Sequence, residues 1–168
     1  SEGREMTANI LPSASAEKHY PIAFNLIPQI DVFCDNLYTK EEMKMVNETK
    51  KIMEDYEMRI TATTIRVPVY RSHSESVNIE LEKEVDLGAM REALAKFPGV
   101  TVQDDPSKQE YPMPLYTSEK DDVYVGRLRR DESWEKSYNM WVVGDQIRKG
   151  AALNTLQIAE TMIKNGWI

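Results

Sequence analysis

The sequence predicts an α+β domain, with helices packed on one face of a mainly antiparallel or mixed sheet. Three observations lead there. The 168 residues contain stretches of period two, such as SVNIELEK, and stretches repeating every three or four residues, such as EEMKMVNETKKIM. Strands and helices follow one another without the strict alternation of a parallel βαβ fold. The content of 41% hydrophobic and 29% charged residues is that of an ordinary globular domain. A chain of this length buries roughly two-thirds of the surface its unfolded form exposes.

Residues 1–20 are polar, broken by Pro12, with small residues from Ser13 to Ala16. They predict an extended, partly disordered lead-in to a folded region over 21–168. In IAFNLIPQIDVF the apolar run is interrupted by Pro28, which favours a strand or an irregular buried segment over a helix. Thr39 then opens a helix, because Thr39 and Glu42 have capping-box spacing. Met43, Val46, Ile52 and Met53 mark its apolar side, and the pattern ends near Asp55. ITATTIRVPV and SVNIELEK read as β structure, with Val77, Ile79 and Leu81 alternating against Ser76, Asn78 and Glu80. Asp86 caps a short helix, LGAMREALAKF, stopped by Pro98 and Gly99. VTVQDD predicts a strand, and the proline-rich stretch 105–122 a long loop. VYVGRLRR and NMWVVGD predict two further strands. A last helix runs from about Gln146 to Lys164, ended by Asn165 and Gly166, with Leu156, Ala159, Met162 and Ile163 on its buried side.

Composition excludes several kinds of function. With 21 basic and 28 acidic side chains the net charge is −7, the wrong sign for nucleic-acid phosphates or an anionic membrane. No apolar run approaches the ~18 residues of a membrane span. The single cysteine, Cys34, allows neither an internal disulfide nor a multi-cysteine zinc site, so a reducing cytoplasm is the expected compartment. The first residue is Ser1 rather than methionine, which leads us to expect a processed chain or a part of something longer. No GxGxxG, Walker loop, HExxH or GxSxG motif occurs, and no metal ligand set is expected.

A few polar residues stand in suggestive places. Glu41 and Lys44 share a face of the first helical turns, where backbone N–H groups add positive potential. They could hold a substrate carrying both an ammonium and an anion, although on spacing alone a solvated ion pair explains them better. Arg66 sits in a β-branched run and has the fork for a carboxylate. An edge-strand arginine reaching solvent beside Pro68 explains it equally well. His73 shares the parity of Val77 and Ile79, so it should point inward, as a general base or as a satisfied structural histidine. Arg66 and His73 lie an odd number of residues apart, so one site for both requires a bend between Pro68 and Ser72. Cys34, among apolar and acidic neighbours, is disfavoured as a thiolate nucleophile.

Taken together, HYPIAFNLIPQIDVF, YTKEEMKMVNETKKIM, RVPVYRSHSESVNIE, YPMPL, VYVGRLRRD and MWVVGDQIRKGAALNTLQIAE resemble the C-terminal half of bacterial aspartate-semialdehyde dehydrogenases, in order, from about His19 to Thr161. The resemblance implies a glyceraldehyde-3-phosphate-dehydrogenase-like C-terminal domain over 21–168 that binds substrate and dimerises. An N-terminal NADP-binding Rossmann domain would carry the nucleophilic cysteine. The implied reaction is the NADPH-dependent reductive dephosphorylation of β-aspartyl phosphate to aspartate semialdehyde, in lysine, methionine and threonine biosynthesis. By the same resemblance His73 is the acid/base group, Arg66 grips the substrate carboxylate, Glu41 meets its amine and Lys44 its phosphate. Gln146 falls at the nicotinamide end of the cofactor. The implied assembly is a homodimer or tetramer, with a small-molecule substrate and neither nucleic acid nor membrane as partner. The chain alone, lacking the cofactor domain and the thiolate, is expected to be inactive. Two alternatives stay open: an N-acetyl-glutamyl-phosphate reductase-like enzyme, which the amine contact at Glu41 opposes, and a non-enzymatic dimerisation module.

Overall fold

The strand-forming runs around Val125 and Val142 become the middle of a four-stranded sheet. The computed structural model describes residues 9–10, 12, 15 and 17–168, which fall into two compact units, Ser1–Pro68 and Val69–Ile168. The predicted lead-in over 1–20 lies largely outside the described residues. Within it, β1 (Asn9–Ile10) pairs antiparallel with β2 (Tyr20–Pro21).

The second unit holds the sheet, in spatial order β3 (His73–Glu80), β6 (Ser137–Gly144), β5 (Val123–Arg130) and β4 (Val100–Val102). The first two pairings are antiparallel and the β5–β4 pairing is parallel, so the sheet is mixed, as expected. On one side α2 (Leu87–Lys96) covers it. Met90 of α2 packs with Val125, Leu128 and Tyr138, and Ile79, Leu94, Val100, Met140 and Val142 close around them. The helix starts where the sequence places it, with the Asp86 carboxylate accepting from the Ala89 N–H at 3.1 Å. It ends before Gly99, whose φ of +79° reverses the chain. The opposite side is partly covered by the stretch 105–122. This is not a plain loop: it contains a 3₁₀ turn, Pro106–Lys108, and a short helix, α3 (Pro114–Thr117). Prolines at the first turn of each pre-set φ for helix entry. The Trp141 indole N–H donates to the Pro112 carbonyl at 3.0 Å. Gly126 lies beneath this stretch: a Cβ there would stand 2.2 Å from the Gln103 carbonyl oxygen and 2.6 Å from Pro112 Cδ.

The final helix departs from expectation in two ways. It opens with a π turn, Arg148–Ala152, before α4 (Leu153–Lys164). Its apolar side is not buried: Leu156 and Ile163 are 63% and 64% exposed, with only Ala159 and Met162 half-buried. Periodicity locates an apolar face, but burial also needs a surface to meet it.

In the first unit, α1 (Lys40–Ile52) begins at Thr39 with both bonds of the capping box in place. Met43 and Val46 are half-buried, whereas Ile52 and Met53 are exposed. The stretch 60–69, expected as a strand, makes one isolated antiparallel bridge, between Arg66 and Ile27. Pro68 removes a donor where a longer ladder would continue. The segment 22–33 is irregular, as Pro28 predicts, and buries Ile27.

Tyr138 is fully buried, and its hydroxyl accepts from the Val85 N–H at 2.7 Å and donates to the Val85 carbonyl at 2.8 Å. The Tyr138→Phe variant leaves both Val85 groups unmatched. It is expected to lose about 1–3 kcal/mol in urea unfolding with an unchanged m value.

Candidate functional site

Three of the singled-out residues belong to the first unit and two to the second. In the first unit the α1 capping box does more than start a helix. Glu42 Oε2 accepts from the Thr39 N–H at 2.7 Å while Oε1 accepts from the Thr64 N–H at 2.8 Å. One buried carboxylate therefore ties the first turn of α1 to the segment that carries Arg66. Burial pushes the Glu42 carboxyl upward, but the bonds from Thr39 and Thr64 outweigh it and lower its pKa below the usual range. With Glu42 turned inward, Glu41 and Lys44 face outward one turn apart, Lys44 Nζ lying 3.7 Å from Glu41 Oε1. Lys44 is exposed and Glu41 half-buried, so their mutual attraction is worth under ~1 kcal/mol, and both keep surface open to a ligand. Arg66 exchanges two backbone bonds with Ile27, at 2.9 and 3.1 Å. Its Nη2 donates to the Pro12 carbonyl at 3.2 Å. Its Nε is buried with no acceptor among the described residues, a donor waiting for a partner.

In the second unit His73 is the first residue of β3, opposite Gly144 of β6. It has the parity of Val77 and Ile79, as expected, yet it is exposed rather than inward-pointing. The neighbour across the ladder is a glycine with no side chain to cover it. Between the Arg66 bridge and β3 the chain forms no ladder, and Ser72 has a φ of +72°, left-handed backbone that costs a serine roughly 1 kcal/mol or more. Ser72 is nearly fully buried. Its N–H donates to Gln146 Oε1 at 2.8 Å, and its Oγ accepts from the Thr117 hydroxyl at 3.1 Å. Gln146 is thus bonded to the residue directly before His73.

Beside Gln146 lies Asp145, with no exposed surface. Its Oδ2 accepts from the Glu119 N–H at 2.7 Å and pairs with Arg71 Nη2 at 2.9 Å. Its Oδ1 accepts from the N–H groups of Ile147 and Arg148 at 2.9 and 3.0 Å. Burial alone would raise this carboxyl. The N–H groups of Glu119, Arg148 and Ile147, with the Arg71 guanidinium, outweigh it and hold its pKa at about 2. Arg71 also reaches Glu119 at 3.2 Å, and Arg148 pairs with Asp121.

Comparison with known proteins bears on the chain as a whole. The family model described as semialdehyde dehydrogenase, dimerisation domain, matches residues 2–149. Aspartate-semialdehyde dehydrogenase of Aquifex aeolicus is 50% identical over 167 residues, 99% of this chain and 47% of that protein. The chain belongs to the semialdehyde dehydrogenase family. The Bacillus subtilis aspartate-semialdehyde dehydrogenase is also 50% identical, over 161 residues, 95% of this chain and 46% of that protein. Among solved structures, aspartate semialdehyde dehydrogenase II of Vibrio cholerae complexed with ASA superposes with a TM-score of 0.81 at 43% identity. That match covers 86% of this chain and 43% of the other. The chain therefore spans about half the length of the relatives it matches.

Within this semialdehyde dehydrogenase domain, Glu42, Arg71, Ser72 and Asp145 organise the surroundings of the singled-out residues, and sequence reasoning assigned none of them a place there. The capping-box spacing marked Glu42 as a helix cap but not as an anchor for Thr64. Asp145, just after a strand and just before a helix, carried a capping signal that could have been read. The Asp145 geometry sets a pH dependence of stability. Above the ordinary carboxyl pKa of 3.8 the group is charged in folded and unfolded chains alike, and its stabilisation is complete. As pH falls from there toward about 2 the unfolded chain takes up the proton first, and the advantage is lost. An Asp145→Asn variant is expected to unfold with about 2–4 kcal/mol less stability at neutral pH. That gap should narrow only below about pH 4, read from urea midpoints across a pH series.

Proposed function

We propose that this chain is the C-terminal, substrate-binding and dimerisation half of an NADP-dependent aspartate-semialdehyde dehydrogenase, converting β-aspartyl phosphate to aspartate semialdehyde and phosphate in the cytoplasm. The observation that carries the reading is 50% identity along 99% of the chain to a relative of that name. That name also favours it over an N-acetylated substrate or a module without chemistry. In the described residues no helix is long and apolar enough to cross a membrane. The domain's family description supports self-association into a dimer or a tetramer.

The residue roles follow from chemistry. Reduction of an acyl phosphate through a thioester needs a thiolate, a proton shuttle and fixed charges at both ends of the substrate. Cys34, half-buried in the segment before α1 and flanked by acidic neighbours that disfavour a thiolate, is not proposed as that nucleophile. His73, exposed and carrying an imidazole, is the proposed acid/base group. Arg66, with its unmatched buried Nε, is the proposed clamp for the substrate carboxylate. Glu41 and Lys44, solvated and one turn apart, are proposed to meet the substrate amine and the phosphate. The cofactor, when bound, supplies the hydride. Of its site this chain offers one edge. Because the Gln146 amide oxygen is taken by the Ser72 N–H, its NH₂ group would be the donor it offers to the nicotinamide end of the cofactor. The sequence holds no glycine-rich phosphate loop, so the rest of the dinucleotide site lies on other residues of the whole protein.

Steady-state kinetics of the full-length protein with NADP, phosphate and aspartate semialdehyde test these roles. A His73→Asn variant is expected to lose kcat by about 10²- to 10⁴-fold with KM nearly unchanged. Arg66→Lys is expected to raise KM for the semialdehyde by roughly 10- to 100-fold. The 168 residues alone are expected to show no turnover. Retention of full kcat without the imidazole, or of KM without the guanidinium fork, would remove the corresponding assignment.

A further inference from the structure

We propose that Arg71 and Asp145 are positioning residues for the His73 imidazole, acting through the anchored Ser72 backbone. This rests on the reading of His73 as the acid/base group. A working imidazole must be aimed, and in many enzymes a carboxylate bonded to the second ring nitrogen does the aiming. Here, among the described residues, no hydrogen bond to the His73 ring is found, and the ring is exposed at a strand end opposite a glycine. Its direction is left to the backbone on which it stands.

That backbone is held from several sides. At Arg71, two residues before the histidine, the guanidinium bonds to the fully buried Asp145 at 2.9 Å and to Glu119 at 3.2 Å. At Ser72 the N–H is fixed by Gln146 at 2.8 Å and the hydroxyl by Thr117 at 3.1 Å. Asp145 and Gln146 directly follow Gly144, the ladder partner of His73, so both ends of the brace reach the same point of the sheet. The brace also holds Ser72 at a φ of +72°, a conformation that persists only when its surroundings over-determine it. Releasing Arg71 or Asp145 removes the constraint that opposes relaxation of Ser72 toward ordinary extended backbone. Such relaxation rotates the Cα–Cβ bond of His73 away from its present direction. The charged groups around the pair are Glu119, Arg148 and Asp121. None of them bonds to the histidine ring, so the effect runs through position rather than through a new charge on the ring.

The test uses the full-length enzyme, comparing kcat, KM and the pH profile of kcat for wild type, Arg71→Gln, Arg71→Lys, Asp145→Asn, the Arg71→Gln/Asp145→Asn double variant and His73→Gln. Folded fractions are measured by circular dichroism at the assay temperature. Arg71→Gln and Asp145→Asn are each expected to lower kcat by about tenfold or more. KM for semialdehyde and cofactor should stay within about twofold. The imidazole limb of the pH profile should move, and the double variant should be no worse than either single one. Arg71→Lys, which keeps the charge, is expected to recover most of the loss. A fall in kcat that matches the loss of folded protein, with the pH limb unmoved, overturns the proposal while leaving His73 in its role. A pH limb that survives in His73→Gln overturns the role of His73 itself, and the brace with it.

Discussion

The second unit depends on one carboxylate that has no contact with solvent. Asp145 gathers three backbone N–H groups and one guanidinium, and those donors come from three separate stretches of chain. Uncompensated, a buried charge of this kind would be among the most expensive features a small domain could contain. Compensated, it becomes a fixed point. It holds the start of the π turn, the end of the α3 segment and the approach to β3 in one arrangement. Those donors outweigh burial and hold the carboxyl well below the usual carboxylate range. The loss of one of them leaves the remaining charge stranded rather than merely weaker in its bonding.

The first unit repeats the device on a smaller scale with Glu42. A helix cap normally satisfies its own helix, but here the second carboxylate oxygen reaches the N–H of Thr64. The local stop-and-start grammar of α1 thereby becomes a tertiary constraint on the segment ending at Arg66. It also decides which way the neighbouring side chains face. With Glu42 committed inward, helical geometry turns Glu41 and Lys44 toward water.

These two carboxylates show why some of the architecture was legible in the sequence and some was not. Alternation marked β3, apolar strand-forming runs marked β5 and β6, and capping residues marked the starts of α1 and α2, because those signals are local and each residue carries its own share. The run 60–69 looked equally β-like, but β-branched residues signal a strand only if a neighbour supplies a ladder, and Ile27 supplies a single bridge. Parity put His73 on the correct side of its strand, but what lies across the ladder decides exposure, and that residue is Gly144. Of the singled-out residues, Glu41, Lys44, Arg66, His73 and Gln146 were named through resemblance more than through spacing. The supporting residues Arg71 and Ser72 were invisible because their partners are distant in the chain, and the local capping signal of Asp145 gave no hint of its distant partners Arg71 and Glu119. Ser72 and Gln146, for example, are 74 positions apart.

The close approach over Gly126 has its own consequence. A hydrogen atom is all that separates β5 from the Gln103 carbonyl and the Pro112 ring, so even an alanine would force that backbone and ring to shift. Library screens of this domain should therefore find the position almost closed to replacement. Lineages that vary freely at nearby surface residues should be held to a single choice there, for a steric reason independent of any chemistry the domain performs.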